Sequence, residues 1–285
     1  MRELIQKEFP FLFTIPAVLW QMLFFCIPLV LIVVLSFQSS PVIPGIAWTL
    51  DNYRSVFTHA HAIIIVRSLV LATSTALLCL IIGYPVAYFI ALCTERWRSL
   101  LVFLVTLPFW TNFITLVYSW FFIVEKNGLI NKILLWSGIM QRPLVLAYNQ
   151  ITVMCVMTYC FLPFMIISLY TVLEKLDKRL LEASADLGAT PWQTFMRVTL
   201  PLSIAGIKTG LLLVFIPAFG EFAVPIIMGG SRYLYVGSTI MHYFMHRASQ
   251  HSGAAFTILS SIILALSVYV ALLYLKALYN TFKRR

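Results

Sequence analysis

The sequence predicts an all-α membrane protein with six transmembrane helices, and three observations carry that prediction. Of its 285 residues, 61% are hydrophobic and 11% charged, with a mean hydropathy of +0.93. A soluble domain of this length needs far more charge to cover its surface. Uncharged stretches run over 9–50, 68–94, 99–124, 143–173, 209–220 (continuing past one acid to 231) and 248–275, and each has room for the roughly 20 apolar residues of a crossing helix. Basic residues are also unevenly placed. The N-terminus, 93–98, 174–208 and the C-terminal end hold 13 of the 20 lysines and arginines, which assigns those segments and both termini to the cytoplasmic side.

The six spans are expected at about 12–37, 64–92, 99–123, 148–173, 206–229 and 253–277. The first follows Arg2 and Lys7 and is too long for a signal-peptide core, so it is expected to remain as an anchor. Residues 1–63 form that helix and an outer loop with SSPVIPG and TLDNY, and spans two to six form the compact unit. In the outer loop 124–147, Asn127-Gly128 signals a turn, and Leu129, Ile130, Ile133 and Leu134 share a helical face that Gly138 ends. A short amphipathic helix on the outer surface is expected there. A basic tail, 278–285, closes the chain. The net charge of +10 is what basic residues beside cytoplasmic membrane ends produce, and it requires no nucleic acid.

Polar sequence interrupts the apolar pattern at 174–205. Asp177 can cap a helix carrying Leu180, Leu181, Ser184 and Leu187, which Gly188 stops. Thr190, Pro191 and Gln193 then make the capping box of a second helix, expected to end near Leu200-Pro201 because proline disfavours helix in the residue before it. Leu187, Ala189, Trp192 and Phe195 gather about the turn and leave an apolar knob. Its cover is either this chain's own bundle or a cytoplasmic partner with a matching groove.

Glu221 is the acid furthest from any loop, with Gly220 beside it and Pro217 and Pro225 on either side. A carboxylate at membrane depth costs about 2.5–3.5 kcal/mol and faces a cavity or a partner charge, and a proline-flanked break is tolerated where it lines a cavity. Glu221 is read as facing a cation, against a structural pair with Arg67 or a position at the outer end of the span. Trp110, Asn112, Tyr118 and Trp120 in span three suit an organic amine through aromatic faces and an amide oxygen. Tryptophan and tyrosine are also what the interfacial belt uses.

The five cysteines form no CxxC pair. His242 and His246 are four apart but lack a third ligand at regular spacing, so no metal site is expected. No Ser/His/Asp, HExxH or paired-carboxylate constellation lies at membrane depth, which excludes an enzyme. An ion-coupled carrier would use Glu221 but leaves the capped helices without a purpose.

Glu182, Ala183, Ser184, Gly188, Val198, Leu200 and Pro201 resemble the EAA signature of ABC importer permeases (E-A-A, three residues, G, nine residues, I-x-L-P), with Ser184 and Val198 as mild departures. The resemblance implies the type I ABC importer permease fold over about 66–274. It also implies a coupling role for Glu182, Ala183, Ser184, Asp186, Gly188, Ala189, Thr190, Leu200 and Pro201 against a pair of ATP-binding cassette subunits. No G-x-x-x-x-G-K-[ST] occurs, and GIKTG at 206–210 has the wrong spacing for a phosphate loop. ATP and magnesium would therefore sit on the partner, and this chain would bind no cofactor.

LDNY (50–53), GYPVAYF (83–89), LPFWTN (107–112), NGLIN (127–131), LPF (162–164), EKLDKRLLEASADLGA (174–189) and LLVFIPAFGEFAVPIIMGG (212–230) resemble the spermidine/putrescine importer permeases. Related importers of iron or thiamine share parts of these motifs. That likeness implies a bacterial cytoplasmic membrane, a second homologous permease, a periplasmic or surface-tethered binding protein, and a polyamine as the cargo.

Overall fold

The computed structural model describes residues 14–39, 48–230, 233–246 and 249–283. Arg2 and Lys7, all of the SSPVIPG stretch after Ser39, and Arg284 and Arg285 of the basic tail lie outside the described residues. The described chain is helical: α1 (Thr14–Phe37), α2 (Asp51–Val56), α3 (His59–Leu92), α4 (Glu95–Thr106), α5 (Phe113–Val124), α6 (Leu129–Trp136), α7 (Gln150–Leu173), α8 (Lys178–Asp186), α9 (Pro191–Gly220), α10 (Ala223–Gly229), α11 (Val236–Met245) and α12 (Gln250–Lys283).

Among the described residues six helical stretches are long and apolar enough to cross a membrane, at Thr14–Phe37, His59–Leu92, Phe113–Trp136, Gln150–Leu173, Pro191–Gly220 and Gln250–Ala277. The third of these is not one rod, because a turn at 125–128 separates α5 from α6. A 12-residue α5 is roughly 18 Å long, short of a hydrocarbon core of about 30 Å. The crossing expected over 99–123 is instead built in pieces: α4, a 3₁₀ turn at Leu107–Trp110, a break at Thr111-Asn112, and α5. The fifth span, expected over 206–229 with its backbone opened between Pro217 and Pro225, breaks at Glu221-Phe222 between α9 and α10.

The chain divides into two compact units. The smaller lies within Met1–Ala62 and Ile240–Ile262, so the start of the last span groups with the first span and not, as expected, with spans two to five. Asn52 ties it together: its Nδ2 donates to the carbonyls of Ser36 (2.9 Å) and Gln38 (2.8 Å). His61 Nε2 meets Tyr243 Oη at 2.7 Å, and His251 Nδ1 lies 3.1 Å from the Leu35 carbonyl. The His242 and His246 rings are neighbours, but no group of three metal-ligating side chains occurs among the described residues. The apolar side chains of α1 from Val18 to Val33 stand largely exposed, as they can where the surrounding medium is lipid.

The larger unit lies within Ile63–Thr239 and Ile263–Arg285, and its core is the packing of α9 on α7. Gly206 and Gly210 form the small-xxx-small spacing that lets two helix backbones approach. A Cβ at Gly206 would stand 3.0 Å from the Ser168 carbonyl oxygen, and one at Gly210 would stand 2.5 Å from Met165 Sδ. Ser168 Oγ donates to the Gly206 carbonyl at 3.0 Å. GIKTG is therefore a helix-packing motif. Gly206→Leu is expected to destabilise the protein by about 2 kcal/mol or more, since overpacking a filled core costs typically 1–3 kcal/mol. Thermal unfolding of the detergent-solubilised protein checks this. Gly210→Ala should be milder, because a flexible methionine can swing aside where a backbone carbonyl cannot.

At the α3–α4 corner, Arg98 Nη2 donates to the carbonyls of Ala91 and Cys93, and Nη1 pairs with Glu174 Oε1 at 3.3 Å. The segment that follows α7 is thereby pinned to the corner that follows α3. The amphipathic helix expected after Asn127-Gly128 is α6. Its Asn131 is buried and bonds three ways, Nδ2 to the carbonyls of Glu125 and Leu144 and Oδ1 to the Leu144 N–H.

Candidate functional site

Two features at opposite ends of α9 are candidates for function. At its start, α8 and α9 meet in a turn held by local hydrogen bonds. Asp177 Oδ1 caps α8 through the Arg179 N–H at 3.0 Å. Beyond α8 the Gly188 N–H donates to the Ala185 carbonyl and the Ala189 N–H to the Ser184 carbonyl. This paired closure requires a left-handed residue between them, and Gly188 supplies it at φ +80°. The capping box follows: the Gln193 N–H donates to Thr190 Oγ1 and the Thr190 N–H to Gln193 Oε1. Ser184, where the signature has alanine, is buried and its Oγ lies 2.8 Å from Thr194 Oγ1, joining the two helices across the turn.

The knob is uncovered. Leu187 is 88% exposed and Trp192 66%, so this chain's own bundle does not bury them. Glu182, Ala183, Asp186, Gly188 and Thr190 are exposed on the same turn, whereas Ala189, Leu200 and Pro201 are half-buried.

One expectation about this segment is corrected. The second helix does not end at Leu200-Pro201 but continues to Gly220. Proline inside an α-helix lacks an N–H, and its ring clashes with the carbonyl four residues back. Here that carbonyl belongs to Arg197, inside a π-helical turn at Phe195–Thr199, and the wider turn accommodates the ring.

At the other end of α9, Gly220 is the last helical residue and Glu221 is extended (φ −65°, ψ 133°). Glu221 Oε1 accepts the N–H groups of Phe222 (3.1 Å), Ala223 (2.8 Å) and Val224 (3.5 Å), so one carboxylate oxygen caps α10. The side chain helps line a cavity of about 270 Å³ with Phe109, Thr111, Tyr159, Phe164 and Pro217. Among the described residues Glu221 forms no ion pair, with Arg67 or with any other base. Glu221 lies roughly 20 Å beyond Lys208 along α9, in the half of the span farther from the α8–α9 turn.

The span-three residues separate. Trp110 is 75% exposed and lies edge-on to Phe103. Asn112 caps α5, its Oδ1 accepting the N–H groups of Ile114 and Thr115, and Tyr118 is exposed. None of the three lines the cavity. Trp120 does not line it either, but packs on Tyr159, which does, at 5.0 Å between ring centroids. Phe109, Tyr159 and Phe164 were missed because they come from two helices, and no spacing along one of them places their rings together.

Solved structures place the fold among ABC importer permeases. A bacterial alginate ABC transporter, in complex with an alginate pentasaccharide-bound periplasmic protein, has a chain that superposes with a TM-score of 0.77 at 18% identity, over 95% of each chain. A second alginate importer chain gives 0.73 at 17% identity, over 98% of each chain. The family of binding-protein-dependent transport system inner membrane components matches residues 80–285, and this chain belongs to it. Curated relatives include the spermidine/putrescine transport system permease protein PotB of Salmonella typhimurium, 37% identical over 88% of both chains. PotB of Haemophilus influenzae is 38% identical over 88% of both. The inner membrane ABC transporter permease protein YdcU of Escherichia coli is 33% identical over 76% of this chain and 73% of its own. The chain is accordingly a multi-pass inner-membrane transport component.

Proposed function

We propose that this chain is a permease subunit of an ATP-driven importer that carries polyamines into the cell, and that a separate subunit hydrolyses the ATP. The observation that carries the proposal is Glu221: a carboxylate at a broken span, pinned through one oxygen by backbone N–H groups, at the wall of a cavity whose lining includes several aromatic rings. Ammonium groups on a flexible chain suit such a site, because a carboxylate oxygen and ring faces both attract cations. The 37–38% identity to PotB proteins supports the choice of cargo.

The docking turn supports the coupling. An exposed leucine and tryptophan on two capped helices are preorganised to enter a groove, and α9 runs without interruption from that turn to Gly220. The basic-residue distribution supports a cytoplasmic position for the turn and both termini, where an ATP-binding pair would grip the turn. A second permease would complete the pathway, and a binding protein would deliver cargo from outside. Trp192→Glu is expected to reduce co-purification of the ATP-binding subunit at least tenfold, because a carboxylate buried without a partner in an apolar groove is strongly unfavourable. Full retention of that subunit would overturn the docking assignment. Uptake of labelled spermidine that persists with the ATP-binding subunit deleted would overturn the ATP-driven reading.

A further inference from the structure

The π-turn at Phe195–Thr199 lies between the docking segment and the fifth span, and two independent contacts hold it. The first is Pro201, two residues beyond its end. The same arrangement recurs in α1, where a π-turn at Met22–Cys26 precedes Pro28. In both cases the carbonyl four residues before the proline falls inside the widened turn, which relieves the clash. Proline alone is not sufficient, since the residues just before Pro85, Pro163 and Pro217 are ordinary α-helix. The second contact is Tyr84 on α3. Its buried ring lies edge-on to Phe195 at 5.5 Å, and its Oη lies 2.8 Å from Ser203 Oγ. Phe195 in turn stacks on Trp192 at 5.6 Å. Inside the turn the Leu200 N–H donates to the Phe195 carbonyl, and Thr199 is fully buried with its Oγ1 unpartnered.

A π-turn holds one residue more than the α-helix it replaces. Removing it turns everything on its N-terminal side by about 100° about the helix axis and shifts it by roughly 1.5 Å. The element on that side is Pro191–Thr194, with the exposed Trp192. We infer that Pro201 and Tyr84 are positioning residues for coupling: together they maintain the π-turn, and the π-turn sets the direction in which Trp192 is presented to the ATP-binding subunit. Motif positions as far as Pro201 thus act on docking without touching the partner. The inference rests on the docking reading proposed above.

The test uses the whole importer reconstituted with its ATP-binding subunits, second permease and binding protein, and it reads spermidine transported per ATP hydrolysed. Pro201→Ala frees the segment to relax to α-helix, and the ratio is expected to fall at least tenfold. Deleting Met196 in the Pro201→Ala background removes the surplus residue, returns Trp192 to its original direction and is expected to restore the ratio to within twofold. A second lesion does not repair a merely structural defect, so rescue is the discriminating result. Tyr84→Ala should lower the ratio, and Tyr84→Phe, which keeps the edge contact with Phe195, should hold it near wild type. Normal coupling in Pro201→Ala, or a defect that the deletion leaves unrelieved, overturns the inference. If Pro201→Ala does not accumulate in the membrane, normal coupling in Tyr84→Ala overturns it. Trp192→Glu separates the two levels. If it leaves ATPase retention intact, the docking reading itself fails; if it is damaging while Pro201→Ala is silent, only the positioning inference fails.

Discussion

Glu221→Gln is expected to lower polyamine uptake by roughly ten- to a hundredfold while leaving assembly of the importer unchanged. The substitution is nearly isosteric, and an amide oxygen can still accept the Ala223 N–H that Glu221 Oε1 takes at 2.8 Å, so the cap of α10 survives. What is lost is the charge facing the cavity. A hydrogen bond to a charged group contributes about 1.5–3 kcal/mol, which corresponds to the stated factor at 1.4 kcal/mol per tenfold. Glu221→Ala should do more harm, because it also removes the cap, a change that costs about 1 kcal/mol. Initial rates of labelled spermidine uptake across a concentration series, alongside co-purification of the subunits, separate the two effects. Wild-type KM and maximal rate in Glu221→Gln would remove this carboxylate from the substrate path.

Gly188→Val is expected to uncouple transport, with uptake falling more than tenfold. A Cβ at this position meets nothing within 4 Å, so steric collision is not the cause. The cost is conformational: φ is +80°, and a left-handed backbone is unfavourable by roughly 1–2 kcal/mol for a residue with a Cβ, with branching at that atom adding to it. A valine would open the turn, the Ala189 N–H would leave the Ser184 carbonyl, and α8 would separate from the start of α9. Gly188→Asn is the matching control, since asparagine tolerates the left-handed region and fills the same open space. Uptake near wild type for asparagine and near background for valine would tie the defect to backbone conformation. Equal loss in both would point to contact with the partner surface, and equal retention would dismiss the turn as a coupling element.

These two sites differ in how far the linear sequence discloses them. The docking turn was legible because each of its bonds closes within a few residues: Asp177 to Arg179, Ala189 to Ser184, Thr190 with Gln193. The end of its second helix was misplaced for a related reason. The rule that proline disfavours helix before it is local, and it gives no account of a π-turn that Tyr84, more than a hundred positions away, helps to support. The cavity was half legible. Glu221, Pro217 and the break could be read from the anomaly of an acid among apolar residues, but the rings around it could not. The break at Thr111-Asn112 resets the helical phase between Trp110 and the residues of α5, and Trp110, Asn112 and Tyr118 do not line the cavity.

The sequence by itself determined the membrane class, the number of spans and the bounds of the first, second, fourth and sixth to within about five residues, and the caps that frame the turn between α8 and α9. Apolar area sums over residues regardless of arrangement, and a cap needs only its near neighbours. Only the tertiary structure decided that Gly206 is a packing surface and which aromatic rings share the cavity at Glu221. Each of those depends on the angle at which one helix meets another, and that angle is set by contacts between side chains far apart along the chain.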